Sequence, residues 1–332
     1  MIDRRGVLMG GSAAMFAAAG MSHLVSPAAA EDGVLRVASL RFGSFNWLLA
    51  TIRDEGLADK RGLSITVLDV ATSQAGPVAL LSGEAEIIVS DWPWALRQRA
   101  LGETLKYAPY SSALGAVMVP QDSPIKTLAD FKGKRLGVAG GAIDKSWLLL
   151  RAYSEKVIGT DIAELAEPIY GAAPLLTEEA RGGRLDGVLN FWTYAARLEG
   201  SHFRTVVGMD DVMKVLGIDP IPSMVGFVWR ERTEQKKGKE IAAFLAAVSE
   251  ANQVLATSNA AWNRIRDLVK PENDIEFEAV KTYYRAGIPA PWTDAETRSA
   301  EKLTQLLVQI GGPHLLGANT QFDPKLFHAA GT

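Results

Sequence analysis

From Val34 to Arg230 short apolar runs alternate with segments whose apolar residues follow a helical period. The short runs are Val34 to Leu40, Ser64 to Val70, Glu86 to Val89, Ala116 to Val119, Arg135 to Ala139, Gly187 to Asn190, Arg204 to Val207 and Gly226 to Trp229. Gly, Asp, Asn or Ser bounds them, and they predict strands. Trp47 to Glu55, Val78 to Ser82, Ala95 to Ala100, Ser146 to Val157 and Thr193 to Glu199 predict helices. Such alternation means α/β architecture with mainly parallel sheets. Beyond Arg230 the period changes: Ile241, Phe244, Leu245, Val248 and Leu255 share one helical face, as do Leu303, Leu306, Leu307 and Ile310. The C-terminal third is therefore read as helical.

The first thirty residues stand outside this pattern. Arg4 and Arg5 precede an Ala/Gly/Met-rich apolar stretch from Gly6 to Val25, and Ser26-Pro27-Ala28-Ala29-Ala30 supplies the small residues a signal peptidase accepts. This predicts an export signal, residues 1–30, cleaved after Ala30, and a periplasmic location. Asp3-Arg4-Arg5-Gly6-Val7-Leu8 also fits a twin-arginine pattern, which leaves the twin-arginine and general routes both open. A membrane anchor is disfavoured by the weak hydrophobicity and the cleavage site.

Length and charge narrow the picture. A chain of 332 residues, 48% hydrophobic and 22% charged, has globular composition and a length that predicts two domains. The net charge is −3, with no long run of like charges, so neither nucleic acid nor an anionic membrane is an expected partner. Cysteine is absent, so there is no disulfide and no acylated lipoprotein anchor. The expectation is a soluble monomer held together by its core.

An internal similarity recurs at an offset of one hundred residues. Gly83-Glu84-Ala85-Glu86-Ile87-Ile88-Val89-Ser90-Asp91-Trp92-Pro93-Trp94-Ala95-Leu96-Arg97 lies over Gly183-Arg184-Leu185-Asp186-Gly187-Val188-Leu189-Asn190-Phe191-Trp192-Thr193-Tyr194-Ala195-Ala196-Arg197. Each copy reads as turn, buried strand, polar residue, aromatic pair, helix. In a parallel sheet ligands meet the C-terminal ends of strands, so each copy would carry a Trp to the rim of its own sheet. Two similar lobes would then face one cleft.

These pieces resemble the periplasmic substrate-binding proteins of the nitrate, alkanesulfonate (SsuA-like) and taurine type, which feed ABC importers. The clearest local match is Ile125-Lys126-Thr127-Leu128-Ala129-Asp130-Phe131-Lys132-Gly133-Lys134-Arg135-Leu136-Gly137-Val138. Leu81 to Glu86 and Gly183 to Asp186 are similar to the family's Gly-x-x-acid turns, with Glu86 where Asp is more usual. The resemblance implies the two-lobed type II periplasmic binding fold. Lobe I would be discontinuous, residues 31–117 and 224–332, and lobe II would be 118–223, with hinges near Ala116 to Pro120 and Ser223 to Val228. It implies a small-molecule ligand between the lobes, and an ABC permease with a cytoplasmic ATPase as partner. The same fold hosts ligand-presenting sensors and enzymes related to thiamine-pyrimidine precursor synthesis, which remain the alternatives.

Enzyme and cofactor signatures fail. His202, His314 and His328 are far apart and lack the spacing of a zinc site. No Gly-x-Ser-x-Gly elbow occurs. Lys145-Ser146 after Gly140-Gly141 is similar to a phosphate loop, yet Ala139 and Asp144 occupy its two required Gly positions. No cofactor is expected, and no catalytic residue.

Candidate ligand-binding residues come from predicted strand ends. Lobe I offers Arg41, Phe45, Trp47, Asp91, Trp92 and Trp94; lobe II offers Gly141, Asp144, Trp147, Asn190, Trp192 and Tyr194. Trp47, Trp94 and Trp147 serve equally well as core, Arg41 as a surface charge, and Asp91 and Asp144 as helix caps. Trp92 and Trp192 are the preferred rim aromatics. Two carboxylates, Asp91 and Asp144, on facing loops would repel a simple oxyanion, with only Arg41 and Lys145 as counterweights. Aromatic surroundings favour a flat organic ligand, neutral or cationic, with a metal chelate as a further candidate and a bare metal site as a minority reading.

Overall fold

The computed structural model describes residues 33–41, 43–312, 316–317 and 320–328; the predicted export segment and its cleavage site lie outside them. Strands β1 (Val34–Leu40), β2 (Ser64–Val70), β3 (Ile87–Asp91), β4 (Leu105–Ser111) and β10 (Val225–Arg230) form one sheet in the order β2-β1-β3-β10-β4. Strands β5 (Ala116–Pro120), β6 (Arg135–Ala139), β7 (Glu167–Gly171), β8 (Gly187–Asn190) and β9 (Phe203–Gly208) form the other, in the order β7-β6-β8-β5-β9. In each sheet the first three strands are parallel and the fourth is antiparallel to both neighbours. That fourth strand, β10 or β5, is the one arriving from the other lobe. The mixed α/β, two-lobed architecture is thus present in two topologically equivalent halves.

The chain passes between the two sheets at two places. β4 ends at Ser111 in the first sheet and β5 begins at Ala116 in the second, so the chain crosses at residues 112–115, ahead of the predicted Ala116 to Pro120. It returns through residues 216–224. Strands β4 and β7 were not predicted, and the cause is the same in both: each contains a proline, Pro109 or Pro168, which removes a ladder donor. Both are edge strands, where the missing N–H is tolerated.

The helices are α1 (Phe45–Asp54), α2 (Ala75–Ser82), α3 (Trp92–Ala100), α4 (Lys145–Ile158), α5 (Ile162–Leu165), α6 (Ala173–Arg181), α7 (Trp192–Glu199), α8 (Met209–Val215), α9 (Glu231–Thr257), α10 (Asn259–Arg264), α11 (Arg266–Val269), α12 (Asp274–Ala286) and α13 (Asp294–Gly311). Ile241, Phe244 and Val248 of α9 are buried with α1 residues Trp47, Leu48 and Ile52 in one apolar core, as the helical period requires. The C-terminal helices, read from the sequence as part of lobe I, also reach lobe II: α12 packs on α7 and α13 on α4.

The hundred-residue offset corresponds to one repeated device. Glu86 Oε2 accepts the Arg36 N–H at 2.8 Å while the Glu86 N–H donates to the Arg36 carbonyl at 2.8 Å. Asp186 Oδ2 accepts the Arg135 N–H at 2.8 Å, and the Asp186 N–H donates to the Arg135 carbonyl at 2.9 Å. Each acid therefore ties the entry of β3 or β8 to the start of its parallel neighbour, β1 or β6. Gly83 and Gly183, with φ of 85° and 68°, make the preceding turns in a conformation that favours glycine. The departure at Glu86 has a physical reason: its extra methylene lets Oε1 also reach Lys237 Nζ of α9, at 2.8 Å.

Candidate functional site

The C-terminal strand ends of the two sheets meet. Asp91 closes β3 in lobe I and Lys145 opens α4 in lobe II; Lys145 Nζ stands 3.3 Å from Asp91 Oδ2, with the two side chains 32% and 29% exposed. Asp91 Oδ1 accepts the Trp94 N–H at 2.8 Å and so caps α3. Beside them, the Tyr107 hydroxyl donates to the Ser223 carbonyl at 2.7 Å. Its pKa lies well above the ordinary phenol value because it is fully buried and because Asp91 is close.

Asp144 caps α4, its Oδ1 accepting the Ser146 N–H at 2.9 Å and the Trp147 N–H at 3.4 Å. Burial raises its carboxyl above the usual range against the opposing pull of Lys145 and these N–H groups. The two acids expected to face a ligand as free charges are thus both helix caps, and Asp91 already has a cationic partner. The electrostatic objection to an anionic ligand is correspondingly weaker than the sequence implied.

Several predicted site residues belong to the core. Phe45 is buried edge-on to Tyr110, Phe227 and Phe244. Trp147 is buried against Tyr170, with ring centroids 6.3 Å apart. Asn190 is buried with its polar atoms engaged: Nδ2 donates to the Ala173 carbonyl and Thr177 Oγ1, and Oδ1 accepts the Phe191 N–H. Trp94 is half-buried against the large apolar cluster that draws on both lobes, and Tyr194 against the apolar cluster of lobe II. Gly141 has φ of 102° in the loop that leads to Asp144, with open space where a side chain would stand.

The two preferred tryptophans occupy equivalent first positions of α3 and α7 but differ in surroundings. Trp92 is fully buried, 0% exposed, its ring 6.1 Å from that of Phe327, and its Nε1 has no acceptor. It does not stand open at the rim as expected. Trp192 is half-buried and its ring meets Trp47 at 6.2 Å and Tyr284 at 6.3 Å, which joins a lobe II helix to the aromatic core of lobe I. Trp47 itself is buried, touching Trp262 and Tyr284.

The sequence reading missed other exposed side chains near strand ends. Leu40 ends β1, Ile143 precedes α4, Tyr170 lies near the end of β7 and Phe191 follows β8; they are 36%, 69%, 44% and 41% exposed. Large apolar groups at strand ends are a signal available from sequence, but Tyr170 was hidden with its unpredicted strand. Arg41 is exposed and lines a separate cavity of about 570 Å³ on the flank of lobe I, with Asn46, Arg53, Val67, Asp69 and Leu268. Among the described residues no group of His, Cys, Asp and Glu is gathered as a metal ion would need, and no helix is long and apolar enough to cross a membrane.

Two equivalent mixed sheets exchanging their fourth strands define the two-lobed fold of periplasmic binding proteins. Residues 53–262, more than half of the chain, match the family described as NMT1/THI5 like, and the chain belongs to that family. The alkanesulfonate-binding protein SsuA of Xanthomonas axonopodis pv. citri, solved with MOPS, matches with a TM-score of 0.68 at 17% identity over 91% of this chain and 100% of that one. The periplasmic aliphatic sulphonate binding protein SsuA of Escherichia coli matches with a TM-score of 0.70 at 16% identity over 91% and 94%. A curated protein of Haemophilus influenzae, named for thiamine biosynthesis, is 24% identical over 217 residues, 63% of this chain. The chain spans 65% of the length of that relative. The fold expected from the resemblance to sulfonate-type receptors is therefore present.

Proposed function

We propose that this protein is an exported solute receptor that captures a small organic molecule between its lobes and delivers it to an ABC importer, without chemistry. The observation that carries the reading is the meeting of the strand ends of both sheets at Asp91 and Lys145; Leu40, Ile143, Tyr170 and Phe191, each near a strand end or the start of α4, are exposed. Aromatic and aliphatic groups at such a place suit the body of a flat, heterocyclic ligand, and the thiamine-biosynthesis name of the Haemophilus relative sits with a heterocycle. Trp192 and Gly141 are retained from the predicted site, with Asp91 and Lys145 as its polar groups. Closure of two lobes on a ligand is a rigid-body motion about the crossovers at residues 112–115 and 216–224.

The test is a calorimetric screen of planar heterocycles against nitrate, sulfate, taurine and short alkanesulfonates. A heterocycle should bind more tightly than nitrate, sulfate and the short alkanesulfonates, with taurine as the small zwitterion of the set, and raise unfolding stability by about 2.7 kcal/mol at a hundredfold excess over Kd. It should also reduce the radius measured by small-angle scattering and be recovered unchanged. Submicromolar binding of a simple alkanesulfonate, unaltered in Asp91→Asn, would overturn the ligand class; turnover to a product would overturn the receptor.

A further inference from the structure

We infer that Asp91 and Lys145 form a split-charge anchor, so that the ligand is zwitterionic, offering a cation to Asp91 and an anion to Lys145. This deepens the receptor reading and rests on it. Four observations carry it. The pair crosses between lobes, at 3.3 Å, so any molecule that enters between β3 and α4 separates it. Lys145 stands at the first position of α4, where the helix dipole disfavours a cation, and its charge answers to two carboxylates, Asp144 of its own cap and Asp91 across the lobes. Asp91 needs only Oδ1 for its cap, which leaves Oδ2 to serve a charged partner. Arg41, the other cation proposed for the cleft, lines the flank cavity instead.

The chemistry then selects the ligand. Separating the pair while excluding water leaves two desolvated charges, each costly unless paired. A neutral ligand satisfies neither, a simple anion or cation satisfies one, and a zwitterion satisfies both. Such a ligand exchanges one ion pair for two and closes the cleft around its own charges. The exposed apolar side chains at the strand ends receive the body that separates them.

The probes are para- and meta-aminomethylbenzoate, with benzylamine and benzoate as their single-charge halves, titrated calorimetrically into the intact protein. Wild type should bind one zwitterion at least about tenfold more tightly than either half, a difference of about 1.4 kcal/mol. Lys145→Met should reduce it to the level of benzylamine, and Asp91→Asn to the level of benzoate. Both variants keep the fold, because Asn caps a helix as well as Asp and Met removes a cation from a helix start. Absence of zwitterion binding to wild type, preference within about threefold of either half, or affinity unchanged in both variants would overturn the inference and return the pair to a simple latch. Scattering separates this from the receptor reading: lobe closure by any heterocycle of the screen, retained in both variants, leaves the receptor standing while the anchor falls.

Discussion

Ser112 Oγ and Ser223 Oγ lie 2.5 Å apart, joining the two crossovers that connect the lobes. One serine follows β4 and the other precedes β10, so the hydrogen bond ties the outgoing chain to the returning one beside the Tyr107 hydroxyl, which holds the Ser223 carbonyl. Ser112→Ala should lower stability by about 1 kcal/mol in urea unfolding. It should also increase the open fraction in scattering without ligand. A variant that unfolds and scatters as wild type does would show that the bond contributes to neither.

Gly115 separates space from backbone freedom. A Cβ there would stand 1.9 Å from the Asn190 carbonyl oxygen, because the first crossover runs against the end of β8. Gly115→Ala should cost about 3 kcal/mol or prevent folding. Gly238 follows the kink in α9 at Lys237 and meets nothing within 4 Å, so Gly238→Ala should leave stability within about 0.5 kcal/mol of wild type. Paired denaturation curves check both, and similar effects would contradict the packing at Asn190.

The Glu86–Lys237 pair is largely buried, its side chains 12% and 9% exposed. Burial pushes the Glu86 carboxyl up, but the hydrogen bond from Lys237, the Arg36 N–H and the charges of Lys237 and Arg36 together hold it below the usual value of 4.5. A depressed folded-state pKa contributes stability above pH 4.5 that is lost as pH falls through the lowered value. Glu86→Gln leaves Lys237 without its counter-charge and should cost about 3 kcal/mol at pH 7, a loss that shrinks as acid protonates wild-type Glu86. A penalty independent of pH would point to packing alone.

Trp92 and Trp192 should respond differently. Trp92→Ala removes a fully buried indole and should cost about 3–5 kcal/mol in stability. Trp192, half-buried at the junction of the lobes, should on truncation lose about tenfold or more in affinity for the best heterocycle of the screen while the protein stays folded. Equal unfolding of both variants would place Trp192 in the core.

Mature protein recovered from the periplasm should begin at Glu31, after the Ala28-Ala29-Ala30 site. Intact-mass measurement decides it. Retention of residues 1–30 would contradict both the export reading and a soluble receptor.

Local chemistry was legible in the chain alone. The strand–helix alternation, the Gly-x-x-acid turns and the hundred-residue offset depend on neighbours in sequence and on side-chain period, so they could be read before any fold was known. Strands β4 and β7 escaped because Pro109 and Pro168 look like breakers until an edge position makes them harmless. What tertiary structure alone decided is which equivalent residues do equivalent work. Trp92 is sealed by Phe327 from the far end of the chain, whereas Trp192, its counterpart in the offset, meets Trp47 and Tyr284 of the other core. Asp91 and Lys145 are 54 positions apart and carry no mutual signal in sequence; they meet because two sheets turn the same strand ends toward each other. Pairing across a cleft is a property of how the lobes sit, and no local pattern encodes it.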